Sequence, residues 1–143
     1  MEMCKLTLEA TTPGSHIGLQ IRLDGQVIFD SHDTLNHHVI EHEFADSADA
    51  PHVLEIEMMG KLPRDTKIDS QGQILSDRAI TIENIAFDEI VLGQLVTDLA
   101  TYTHNFNGSQ DTIQDQFYGN MGCNGIVRIE FSSPVYLWML ENM

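Results

Sequence analysis

The chain is poor in basic residues. It carries 7 Lys and Arg against 22 Asp and Glu, a formal net charge of −15 over 143 residues. Nucleic-acid binding relies on a basic footprint that displaces counterions from phosphates, so that class of partner is excluded. An anionic membrane surface is disfavoured for the same reason. No stretch approaches the roughly 18 consecutive apolar residues that mark a membrane-spanning helix. The start, MEMCKLTLEA, has no basic segment followed by an apolar one, which predicts no Sec-type leader. Cysteine occurs only as Cys4 and Cys123. Two reduced thiols are the simplest expectation, and a bridge from the first strand to a late loop is the alternative. There is one tryptophan, Trp138, and there are no internal repeats, low-complexity tracts or linker-like stretches. The acidic excess leaves a cationic protein, a neutral glycan or a divalent cation as partner classes, or serves solubility alone.

What is present is a period of two. Leu6 and Leu8 alternate with Thr7 and Glu9, and Ile17, Leu19, Ile21 and Leu23 with Gly18, Gln20, Arg22 and Asp24. Leu54, Ile56 and Met58 alternate with Glu55, Glu57 and Met59 in the same way. Successive side chains of a strand point to opposite faces, so this spacing predicts half-buried strands. Expected strands cover Met3–Ala10, broken by Thr12-Pro13-Gly14, then Ile17–Leu23 and Val27–Asp30 around an Asp24-Gly25 tight turn. After a polar bend at Ser31–Asn36 come His37–Phe44, His52–Met59, Ala79–Ile85 and Phe87–Leu92. Gly60–Asp77 reads as a long polar loop with room for a hairpin at Ser70-Gln71-Gly72. Gln94–Leu99 is a helical turn or a strand, followed by strands at Thr101–Phe106 and Ile126–Phe131, with a Gly- and Asn-rich loop pair at Asn107–Asn124 between them. The expectation is a single all-β domain over 1–143, a jelly-roll-like β-sandwich with a core in 3–93 and C-terminal strands and loops in 94–143. Its 42% hydrophobic content supports a core of that kind.

Few residue groups carry chemistry. Calcium takes roughly six to eight hard oxygen ligands, and Asp65, Asp69 and Asp77 in the Gly60–Asp77 loop are the right material for it. Solvated acids on a hairpin explain the same residues, and the spacing is not that of an EF-hand, since Lys67 falls where a third-position ligand belongs. His37, His38 and His42 share a predicted strand, but four residues of strand span about 13 Å, too far for His38 and His42 to chelate together. Ser15, Ser31 and Cys123 lack a nucleophile motif, and nothing selects a carboxylate pair, so no enzymatic activity is expected. A Cys123–His104 pair is the least remote exception. A sugar platform combines an exposed aromatic with amides and carboxylates. Tyr102, Phe106, Phe117 and Tyr118 lie beside Asn105, Asn107, Asp111 and Asn120, from which Tyr102, His104, Asn107, Tyr118 and Asn120 are the candidate glycan contacts. Burial of Tyr102 and Phe106 is the competing expectation. The apolar tail Val135–Met143 is either a final core strand or a docking element, with Tyr136, Trp138, Leu140 and Met143 as assembly contacts.

The order LDGQVIFD, EHEF, PHVLEIEM and DRAITIENIAFDEIVLG, with Asp77-Arg78 preceding a strand, resembles the calcium-dependent xylan-binding carbohydrate-binding modules over residues 3–93. That family places Asn where Ala79 stands. The resemblance implies a jelly-roll sandwich, a glycan ligand and calcium. The segments KIDSQGQILSD, HNFNG, FYGNMGCNG and YLWMLENM resemble short proteins of tailed, T4-like phages of marine cyanobacteria. This second resemblance implies a virion component of tail, baseplate or capsid surface, made in the host cytoplasm and contacting other virion proteins or copies of itself. The leading expectation is thus a non-enzymatic virion assembly protein on a carbohydrate-module-like fold. The alternatives are a calcium-dependent, lectin-like glycan binder and, behind it, a small hydrolase.

Overall fold

The computed structural model describes residues 2–47, 49–105, 108 and 111–143, without the side chains of residues 15, 33–36, 63 and 76. The chain opens with a long hairpin, β1 (Met3–Leu23) and β2 (Gln26–Ala45). Asp24 and Gly25, at φ 52° and 83°, form its turn, as their sequence predicts. The break expected at Thr12-Pro13-Gly14 is an irregularity inside one strand, because Pro13 still pairs with Leu35. Proline is tolerated at such a position, where the ladder is already disturbed. Leu6, Leu8 and Ala10 are buried at even positions, whereas Ile17, Leu19, Ile21 and Leu23 are buried at odd ones. Gly14, at φ 77°, and a register shift between Ser15 and Leu19 separate the two phases. Extra residues in one strand bend it and re-aim its side chains, so β1 keeps an inward face while passing from one layer to the other. The bend expected at Ser31–Asn36 is likewise taken up into β2.

Each half of β1 has its own neighbour on the flank away from β2. β3 (Ala50–Met59) pairs along Gly18–Leu23. The excursion after it holds a 3-10 turn at Pro63–Asp65 and the hairpin β4 (Thr66–Ile68)–β5 (Ile74–Asp77), turning where expected. β6 (Ile80–Phe87) then pairs along Leu6–Thr11. The chain turns at Asp88-Glu89, both at positive φ, into β7 (Ile90–Val91), so the break expected before Phe87 falls after it. Gln94–Leu99 is helical (α1). β8 (Thr101–His104), β9 (Ile113–Gln116), β10 (Asn120–Met121) and β11 (Gly125–Ser133) complete the strands. The order is β10-β6-β1-β3-β11-β8-β9, with β2 added to β1 and β7 to β6. One layer is thus β10-β6 with the start of β1 and the end of β2. The other is β3-β11-β8-β9 with the end of β1 and the start of β2.

The tail is a helix, α2 (Val135–Asn142), which corrects the expectation of a last strand. A short apolar run does not distinguish the two by periodicity alone. Pro134 stands at its N-terminus, and Val135, Trp138 and Met139 are buried at helical spacing. Trp138 closes one end of the sandwich by packing edge-on to Phe87 and Phe131, at 6.3 and 5.9 Å between centroids. Phe44, from β2, meets both phenylalanines. No helix among the described residues is long and apolar enough to cross a membrane. Truncating a buried aromatic removes its transfer free energy and leaves a cavity. Trp138→Ala should therefore cost about 3–5 kcal/mol in urea unfolding with an unchanged slope against denaturant.

Candidate functional site

At the end of the sandwich opposite Trp138, the three carboxylates expected to bind calcium are each engaged by the protein itself. Asp65 is buried and meets His16 Nε2 at 2.6 Å and the Leu62 N–H at 2.7 Å. Asp69 folds back on the turn of the β4–β5 hairpin, accepting from the Gln71 and Gln73 N–H groups at 2.9 Å each. Asp77 Oδ1 accepts from the Lys61 ammonium at 2.5 Å, the Thr66 hydroxyl at 2.6 Å and the Arg78 N–H at 2.9 Å. Among the described residues no three His, Cys, Asp or Glu side chains form a group suited to a metal. The ammonium on Asp77 adds a repelling charge beside the remaining lone pairs. The donors at Asp65, Asp69 and Asp77 do not fit a calcium ion.

Tyr102 and His104, expected at a sugar platform, are buried, because both occupy the inward positions of β8. The Tyr102 hydroxyl donates to the Cys123 carbonyl and accepts from its N–H at 2.9 Å, which plugs the loop before β11. His104 Nε2 bonds Asp115 at 2.8 Å, joining β8 to β9. Neither ring face is open to a ligand. Asn107 and Phe106 lie outside the described residues.

Tyr118 is placed differently. Its neighbour Phe117 takes the buried position, which turns Tyr118 outward with 71% of its surface exposed. Its hydroxyl donates to Gln116 Oε1 at 2.8 Å. Beside the ring lies a cavity of about 210 Å³, lined by Asn84, Gly93, Thr97, Phe117 and Gly119 among others. The Asn120 side chain, exposed nearby, accepts from the Thr81 hydroxyl at 3.0 Å. Asn84, at φ 54°, donates its amide to Glu9, whose other oxygen meets His37 Nε2 at 3.0 Å. The Asn84 hydrogen bond, then the one from His37, hold the Glu9 carboxyl below its ordinary range. An exposed aromatic, a small apolar floor and a rim of amides and hydroxyls converge here. Asn84, Thr97 and Glu9 escaped the sequence reading, because β6, α1 and β1 come together only through the fold.

A second and larger cavity, about 510 Å³, lies beside α2 and is lined by Asp24, His52, Arg128, Glu130 and Trp138 among others. At its edge His52 Nδ1 bonds Asp24 at 2.7 Å and Nε2 bonds the Ser133 hydroxyl at 2.7 Å. The connectivity is that of an Asp–His–Ser hydrolase triad. Ser133, however, is 3% exposed and sits on the inward face of β11, so a substrate carbonyl has no approach to it. The three residues instead fasten the β1–β2 turn to β3 and β11. Both cysteines are free. Burial, then Asp88 and Asp46, pushes the Cys4 thiol up to about 12, and burial also raises Cys123, so neither is primed as a nucleophile. Of the expected assembly contacts, Tyr136, Leu140 and Met143 are exposed and Trp138 turns into the core.

No family model matches this chain, and no curated protein matches it. Among solved structures it is similar to a form of vCBM60, one of "two families of calcium-dependent carbohydrate binding modules", at 10% identity and a TM-score of 0.51. That match covers 88% of this chain and 89% of the other. A second, "vCBM60 in complex with galactobiose", gives 11% identity and a TM-score of 0.47 over 87% and 96% of the two chains. The likeness at this identity is one of fold: the chain is an all-β sandwich.

The carboxylates give this end of the molecule a pH dependence. Burial opposes ionisation of Asp77, but the bonds from Lys61 and Thr66 outweigh it and hold the group below its ordinary 3.8. Asp65 is lowered likewise against its burial, by the Leu62 N–H and His16. A depressed carboxylate contributes stability that is fully present above its unfolded value and lost as pH falls through the folded one. The melting temperature should stay level down to about pH 5 and fall steeply below about pH 4, read by calorimetry across that range.

Proposed function

We propose that this protein is a non-catalytic carbohydrate-binding module that presents Tyr118 to a neutral glycan. The observation that carries the reading is the outward Tyr118 ring beside a cleft walled by Asn84 and Thr97. A sugar ring offers one apolar face and a rim of hydroxyls. It can therefore lie on an aromatic while amides and hydroxyls bond its edge. A neutral ligand also meets no repulsion from a surface with a net charge of −15. The sandwich fold supports the same class. Calcium has no part in this reading, since the acidic residues nominated for it are spoken for. In calorimetric titration against a panel of soluble oligosaccharides, Tyr118→Ala should weaken binding at least about tenfold, some 1.4 kcal/mol. Its melting temperature should be unchanged, because the ring packs on little. Full affinity in Tyr118→Ala would remove this site.

A second reading rests on a different surface. Tyr136, Leu137, Leu140 and Met143 leave a cluster of large apolar side chains on α2 open to solvent, from 54% for Tyr136 to 84% for Met143. This favours an assembly role, the same module being carried on a virion and contacting its proteins through α2. Light scattering separates the readings: self-association abolished by Leu137→Glu and Leu140→Glu together is expected for assembly, and a monomer at all concentrations for a freestanding glycan binder.

A further inference from the structure

Among the described residues Lys61 is the one buried lysine, with its side chain 1% exposed. Its ammonium donates to Asp77 Oδ1 and to the Gly122 carbonyl, at 2.5 Å each. Its backbone is fastened as well: the N–H donates to Asn124 Oδ1 at 2.8 Å, and the Asn124 amide returns a bond to the Lys61 carbonyl at 3.0 Å. A buried ammonium is costly unless charge and hydrogen bonds are both met, and here they are met by a carboxylate and a backbone carbonyl. These are the oxygen types with which proteins hold hard divalent cations. The acceptors come from two separate excursions, the 60–77 loop and the 122–124 loop before β11. Tyr102 holds the second of these from its other side through Cys123.

We propose that the Lys61 ammonium is a built-in cation that clamps these two loops together, so that this end of the sandwich needs no divalent ion. The proposal does not depend on glycan binding. Its chemistry follows from charge: a calcium ion drawn to Asp77 would sit within a few ångströms of an ammonium already there, and like charges that close repel. Lysine suits the task because its ammonium is a compact point charge that two converging oxygens can share. The clamp explains how acidic loops hold their shape in a chain with few bases.

The test is thermal unfolding of the intact chain in chelator and in millimolar calcium chloride. The expected result is the same melting temperature in both, and a rise with calcium or a fall with chelator overturns the proposal. Lys61→Met, which keeps the stem and loses the charge, should lower the melting temperature by roughly 10 °C. Asp77→Asn alone should lower it too, and Lys61→Met/Asp77→Asn should lose clearly less than the sum of the two. If Lys61→Met does not fold, the double variant still should, because it leaves no unpaired buried charge. Additive losses, or a double variant that stays unfolded, overturn the clamp. Glycan affinity is not read in any arm, so a failure here is distinct from a failure at Tyr118.

Discussion

Everything in this structure depends on one strand belonging to two layers. β1 must keep an inward face while pairing edge to edge with β6 over its first half and with β3 over its second. It achieves this only by shifting its side-chain phase between Gly14 and Leu19. The bend is pressed against the end of β3: a Cβ on Gly60 would lie 2.2 Å from the His16 carbonyl oxygen, and Gly60 itself stands at φ 86°. Only glycine satisfies both the contact and the dihedral. From the same bend His16 reaches Asp65, so the 60–77 excursion is clasped to the corner it leaves from.

The two ends of the sandwich are closed by different physics. At one, Phe44, Phe87, Phe131 and Trp138 interlock from both layers and α2, and the Asp24–His52–Ser133 chain of hydrogen bonds ties the turns above them. At the other, where two polar loops meet, burial of apolar surface is not on offer, and Lys61 with its carboxylate and carbonyl supplies the cohesion. The side between them, where β6, β10 and α1 meet, carries Tyr118 with its face free. Closed ends with an open flank suit the proposed binding role, since an aromatic contributes most where its supports do not have to be ordered on binding.

The strand pattern was legible wherever one face is core and the other is solvent. Leu54, Ile56 and Met58 on β3 and the Asp24-Gly25 turn read directly from spacing. Pro13 misled because propensity knows nothing of a partner strand, and pairing with β2 carries β1 through it. The tail misled because a short apolar run such as Val135–Met143 does not distinguish helix from strand by periodicity alone. Of the candidate glycan contacts, Tyr118 and Asn120 are exposed, as an aromatic among amides is expected to be. The burial of Tyr102 was the competing expectation, and His104 follows it as the next inward position of β8. Lys61 gave no signal at all: a lysine in a polar loop reads as solvated, and its burial is set by Gly122 and Asn124, some sixty residues on. The aspartates near it drew attention as metal ligands, for the same charge that the ammonium meets.

One experiment addresses the proposed glycan-binding flank and the proposed metal-free clamp at once. Backbone amide spectra of the labelled protein, kept in chelator, would be followed during titration with oligosaccharides. Saturable shifts centred on Asn84, Thr97, Tyr118 and Asn120 are expected, obtained without calcium and unaltered by its later addition. Shifts that arise only when calcium is added, centred on the 60–77 loop, would contradict both proposals.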